Sequence, residues 1–166
     1  MLRTISGYVI EWQFAYPEGP FCDWNKVGVN RFTYLAGSFD ASIASGRDVP
    51  LTMDMDGVTV FARTGDGTLR ITSDDVGLLV EADLLDTELN RVLVRRIDNK
   101  KVKGWSHRSF HTPLGCRVRQ VDRVKLTEIH DAELREVTIV IRKVPRQLVR
   151  ATPIFLSGGP KKWGRQ

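Results

Sequence analysis

Histidine is scarce in this chain and comes late. His107, His111 and His130 are the only three, so the first 106 residues hold no imidazole. Cysteine is scarcer still. Cys22 and Cys116 stand alone, with no motif spacing, which predicts reduced thiols and a cytosolic setting. With so few cysteines and histidines, and those scattered, no zinc ligand set is available at any standard spacing. No apolar run approaches the roughly 20 residues needed to cross a bilayer, so no membrane partner is expected. Met1-Leu2-Arg3 leads directly into a strand-like segment, which predicts no signal peptide. Acidic residues are absent from positions 141–166, where seven Lys or Arg occur. The other 140 residues carry 18 basic and 20 acidic groups, so the net charge of +5 belongs to the C-terminal tail.

What is present fits one domain of 166 residues, long enough to bury a core without staples. Residues 4–13 are rich in β-branched and aromatic side chains and read as a strand. Residues 15–31 contain Pro17, Gly19, Pro20 and Gly28 and read as a loop. The stretch 38–46, "SFDASIASG", reads as a short helix. Ser38 would cap it, Phe39 and Ile43 share a face, and Gly46 takes the left-handed C-terminal position. Residues 68–71 and 77–83 read as strands joined by a hairpin turn. Residues 86–98 read as an amphipathic helix capped by Asp86 or Thr87, with Leu89, Val92, Leu93 and Ile97 as its apolar stripe. Strands follow at 104–110, 115–121, 124–129 and 134–143, and Pro145 stops the last. The whole is mainly β with two short helices, a pattern that favours a barrel or sandwich. Residues 1–145 form the domain and 146–166 a basic arm.

Two short motifs carry little. Thr52–Arg63 places Asp54, Asp56 and Gly57 as a calcium loop would, but Thr52 is a poor first ligand and Arg63 replaces the closing glutamate. "GDG" at 65–67 joins two strand-like runs and precedes no helix, so it is a turn and not a phosphate loop. No cofactor is therefore expected. Arg142, Lys143, Arg146, Arg150, Lys161, Lys162, Trp163 and Arg165 make the tail a candidate binding arm. It reads equally as a solvated terminus or as an arm for an acidic protein surface. Nucleic acid, with Phe155 and Trp163 as stacking groups, is the weaker reading.

The segments "ISGYVIEW", "YLAGSFDASIASGRDVPL", "RTGDGTLRI…DDVGLLVEADL", "KVKGWSHRSF" and "ELREVTIV" occur in an order that resembles the prohead serine proteases of tailed phages. Those enzymes are related in fold to herpesvirus assemblin and act in capsid maturation. The resemblance covers roughly residues 4–145. It implies an antiparallel β-barrel flanked by helices. It also implies a nucleophile at Ser106, a supporting residue at Glu136, and a histidine base in the run "LTMDMDG". This chain reads Met55 there. A thioether accepts no proton at physiological pH, and losing such a base costs on the order of 10⁴–10⁶ in rate.

Other histidines are poorly placed to substitute. Side chains alternate along a strand, so Ser106, Arg108 and Phe110 face one way while His107, Ser109 and His111 face the other. A bulge would be needed to turn His107 towards Ser106. His130 could approach from a neighbouring strand. Otherwise these histidines read as surface or strand-end residues. Arg108 stands where the family pattern has glycine, and it either crowds the approach to Ser106 or supplies positive charge to an oxyanion.

The expectation is a non-catalytic relative serving as a structural capsid component, a minor capsid or decoration protein of the virion. Its partner would be the major capsid protein, with scaffold protein and self-association as further contacts. The alternative is an active maturation protease with Ser106 as nucleophile, His130 or a re-aimed His107 as base, and Glu136 orienting it.

Overall fold

The computed structural model describes residues 1–17 and 30–141, together with the strand positions 155–156. The chain folds as β1 (Arg3–Glu11), β2 (Tyr16–Pro17), β3 (Arg31–Tyr34), α1 (Asp40–Ala44), β4 (Pro50–Met53), β5 (Ala62–Arg63), β6 (Leu69–Ser73), β7 (Gly77–Leu84), α2 (Glu88–Asp98), β8 (Gly104–Phe110), a 3₁₀ turn (Pro113–Gly115), β9 (Cys116–Val121), β10 (Val124–Ile129), β11 (Glu133–Val140) and β12 (Phe155–Leu156).

Mainly β is correct, but the expected closed antiparallel barrel is not what forms. The described residues make three four-stranded sheets, ordered β12-β1-β7-β6, β2-β3-β10-β9 and β5-β4-β11-β8. Two of them are mixed, because β3 runs parallel to β10 and β4 parallel to β11. The hairpins β6–β7 and β9–β10 are antiparallel, as their short turns demand. Turn residues report only on neighbours in the chain. The direction in which β4 meets the distant β11 leaves no local signal.

The helices show where pattern reading succeeds and where packing redirects it. In α2, Thr87 is the N-cap and its side chain accepts from Asn90 N at 3.2 Å. Asp86 instead pairs with Arg91. The buried side of α2 carries Asn90 and Leu93, with Val94 and Ile97 packed against the core, whereas Leu89 is exposed. Asn90 draws the helix round by donating to Leu85 O and Phe61 O. In α1 the N-cap is Phe39, and no side chain caps it. Ser38 is buried and donates instead to the carbonyls of Leu35 and Ile129, tying the helix entry to β10. Gly46 has φ +68, the left-handed value expected of it.

The predicted loop 15–31 contains β2 and ends at the first residue of β3, a four-residue strand too short for its alternation to register. At the β1–β7 pairing a bulge lies between Tyr8 and Ile10. There Gly77 is obligatory, since a Cβ would sit 2.0 Å from Ile10 O. The core runs through all three sheets. Ile5, Leu51, Leu78, Val80, Leu84, Trp105, Leu134, Val137 and Ile139 are essentially inaccessible, and Ile129 and Tyr34 extend the core into the sheet of β3 and β10.

Candidate active site

The sheet β5-β4-β11-β8 decides what Ser106 can reach. In its register Ser106 lies opposite Thr138, Arg108 opposite Glu136, and Thr52 of β4 opposite Thr138 on the other side. Alternation therefore puts Ser106, Arg108, Glu136, Thr138 and Thr52 on one face. Trp105, His107, Val137, Ile139, Leu51 and Met53 take the opposite, core-facing side. The one bulge in this pairing falls in β11, between Leu134 and Glu136, and leaves the parity of β8 intact at Ser106 and His107.

The Ser106 face is a polar network. Thr52 Oγ1 donates to Glu136 Oε1 and lies 3.2 Å from Thr138 Oγ1. Thr52, Thr138 and Glu136 are all buried, and Ser106 itself is only 7% exposed. Half-exposed Arg108 sets Nη1 3.4 Å from Glu136 Oε2 and donates from Nη2 to Met55 O at 3.0 Å.

Met55 follows β4 in a turn fastened to the same sheet. Its N–H donates to Thr138 Oγ1 at 2.9 Å, Asp54 N donates to Ile139 O, and Ile141 N donates to Asp54 Oδ1. Asp54 and Met55 have φ values of 50° and 58°. Two successive non-glycine residues in the left-handed region are costly and persist because the surrounding bonds dictate them. Met55 and Ser106 thus both adjoin Thr138, one through a hydrogen bond and one through strand register.

The histidines are elsewhere. His107 Nε2 is 3.1 Å from Tyr34 OH, which is 2.9 Å from Ser109 Oγ, and the His107 ring packs edge-on against Tyr34 and Phe39. It is a core-packed residue, not the surface residue expected. Burial pushes its pKa down to about 4 and raises that of Tyr34. His111 is exposed and lies just past the end of β8, on the far side of Phe110 from Ser106. His130 is exposed just beyond β10. It borders a cleft of about 320 Å³ with Leu35, Arg117 and Glu128, in a different sheet from Ser106. In that cleft the Arg117 guanidinium, helped by Arg119, holds the Glu128 carboxyl below the usual range.

Sequence reasoning missed Thr52 and Thr138, whose hydroxyls connect Glu136 to the Met55 turn. The signal was available: Thr138 lies two residues after Glu136 and so shares its face. Among the described residues no cluster of metal-ligating side chains occurs. Cys116 is a free thiol, while Cys22 lies outside the described residues. The proposed binding arm, Arg142, Lys143, Arg146, Arg150, Lys161, Lys162, Trp163 and Arg165, also lies outside them.

Residues 2–146 match the family model of the caudovirus prohead serine proteases. The chain belongs to that family. A search of curated proteins and of solved structures returns no match. The matched region of this prohead serine protease relative ends just after β11, so it takes in Ser106, Glu136 and the Met55 turn together.

The partly buried His107, packed against Tyr34 and Phe39, gives this family member a pH dependence that can be measured. Its folded pKa is depressed, so the unfolded chain binds the proton more readily. Stability is full above about pH 6.5 and falls as pH drops towards 4. From pH 7.5 to 5 the loss attributable to His107 is about 2 kcal/mol. Urea unfolding midpoints of the wild type and His107→Gln should show this as a difference in slope against pH. Equal slopes would mean that the imidazole titrates alike in both states.

Proposed function

We propose that this chain is a prohead-protease-fold protein without hydrolytic turnover at Ser106, retained as a structural component of a tailed-phage capsid. One observation carries the reading. The sheet face of Ser106 holds Thr52, Thr138, Glu136, Arg108 and the Met55 turn, and none of the three imidazoles is placed on it. A serine hydroxyl attacks a carbonyl only when a neighbouring group takes its proton. Among the described residues the charged side chains of this face are Glu136, engaged by Thr52 and Arg108, and Arg108, engaged by Glu136 and Met55 O, so neither is poised for that task. A fold is readily kept after its chemistry is lost. In this reading the partner is the major capsid protein, with the scaffold as a second contact during assembly, and the protein is a minor capsid or decoration component.

Quantitative mass spectrometry of purified virions tests the structural role. The chain should be present intact and at a fixed ratio to the major capsid protein. Its absence from mature particles, or recovery only as fragments, favours the alternative in which it acts as a maturation protease and is cleared.

A further inference from the structure

The end of α2 and the link into β8 carry charge that nothing nearby answers. Residues 95–103 read "RRIDNKKVK", five cations and one acid. The acid, Asp98, is taken by Arg3 at 2.7 Å. Arg95, Arg96, Lys100, Lys101 and Lys103 have no ion pair or side-chain hydrogen bond among the described residues. Elsewhere Arg47, Arg63, Arg70 and Arg91 each hold a carboxylate. All five unpaired cations except half-buried Arg96 are exposed. Like charges this close repel, and no described side chain pairs with them to offset it.

The backbone beneath them is fixed. Asn99 donates to Arg95 O from both its N–H and its Nδ2, Lys100 N donates to Ile97 O and Lys101 N to Arg96 O. Lys100, at φ 54, turns the chain out of the helix, and Lys103 N donates to Val140 O where β8 begins. Amides therefore satisfy these last helix carbonyls, and the basic side chains are not spent on capping.

The surroundings select the partner. A protein interface is built round an apolar centre. Here Val94, Ile97 and Val102 pack against the core, and no large hydrophobic between Arg95 and Lys103 is exposed. Single-stranded nucleic acid is held by aromatic stacking, and residues 88–103 contain no aromatic. The Asn99 amide, which could read a base edge, is used on Arg95 O. What is left is a row of point charges, which suits the phosphates of a duplex.

We propose that the surface formed by Arg95, Arg96, Lys100, Lys101 and Lys103 binds the backbone of duplex nucleic acid without regard to sequence. This stands apart from the state of Ser106, which it neither uses nor requires.

The test is fluorescence anisotropy of the full chain with two DNA duplexes of about 20 base pairs and unrelated sequence, from about 50 to 200 mM salt. Both duplexes should bind alike. Arg95→Gln/Lys101→Gln/Lys103→Gln should weaken binding at least about tenfold at low salt, and the slope of log affinity against log salt should fall by about 3. Arg95→Lys/Lys101→Arg/Lys103→Arg, which keeps the charge, should bind as the wild type does. Three results overturn the proposal. Wild-type affinity and slope in the glutamine variant would place binding on other cations of the chain. Equal loss in both variants would mean that charge is not the cause. Loss of binding to polyglutamate with duplex binding intact would make the partner an acidic protein.

Discussion

A Met55→His/Arg108→Gly variant will react with a fluorophosphonate at Ser106 about 10²-fold faster than the wild type, and adding Ser106→Ala will abolish the gain. A positioned general base contributes about 10²–10⁴, and the lower end applies because, among the described residues, no other group on this face is arranged to align the new imidazole. Three features favour the position. The Met55 N–H bonds Thr138, whose register partner is Ser106. The backbone at φ 58° suits histidine at least as well as methionine, since histidine is enriched in that region. Arg108, which reaches from Glu136 to Met55 O, is removed by the second change. Labelling kinetics followed by intact mass are sufficient. If the double variant labels no faster than the wild type, position 55 is not where the base belongs.

Glu136→Ala will destabilise the domain by about 2–3 kcal/mol, the worth of charge-assisted hydrogen bonds lost at a buried site. For a chain of this length that lowers Tm by roughly 5–10 °C. Glu136 is 4% exposed and receives both Thr52 and Arg108. Glu136→Gln keeps an acceptor for Thr52 and should lose about half as much. Arg108→Ala should cost under about 1 kcal/mol, because its side chain is half in water and ion pairs there are screened. In thermal unfolding the loss should be largest for Glu136→Ala, smaller for Glu136→Gln and smallest for Arg108→Ala. A Glu136→Ala variant as stable as wild type would mean that the polar face contributes nothing to the fold.

Much of the scaffold was legible in the chain because its signals are local. The strands expected at 77–83, 104–110 and 124–129 match β7, β8 and β10 nearly to the residue, and of the two caps offered for the second helix, Thr87 is the one used. Alternation also placed Ser106 and His107 on opposite faces, which the cross-strand pairing with Thr138 and Val137 bears out. What local signals lack is the meeting of distant strands. The parallel pairs β3–β10 and β4–β11 turned an expected barrel into three sheets, two of them mixed. The same blindness hid Thr52, whose hydroxyl matters only because β4 lies beside β11. His107 was read as peripheral since nothing near it in sequence shows that Tyr34 and Phe39 close over it. Ser38 looked like a cap and became a buried tie to β10, because a serine flanking a helix also bonds whatever carbonyl tertiary packing brings to it.

Whether the Ser106 hydroxyl can give up its proton to a neighbouring group is tested by direct labelling. The purified chain is incubated near neutral pH with a fluorophosphonate probe beside its Ser106→Ala variant, with a tailed-phage scaffold protein and major capsid protein added in a parallel reaction. Equal, background-level labelling of the two chains and no cleavage of either added protein are expected. Labelling or cleavage present in the wild type and absent from Ser106→Ala would contradict the absence of turnover at Ser106.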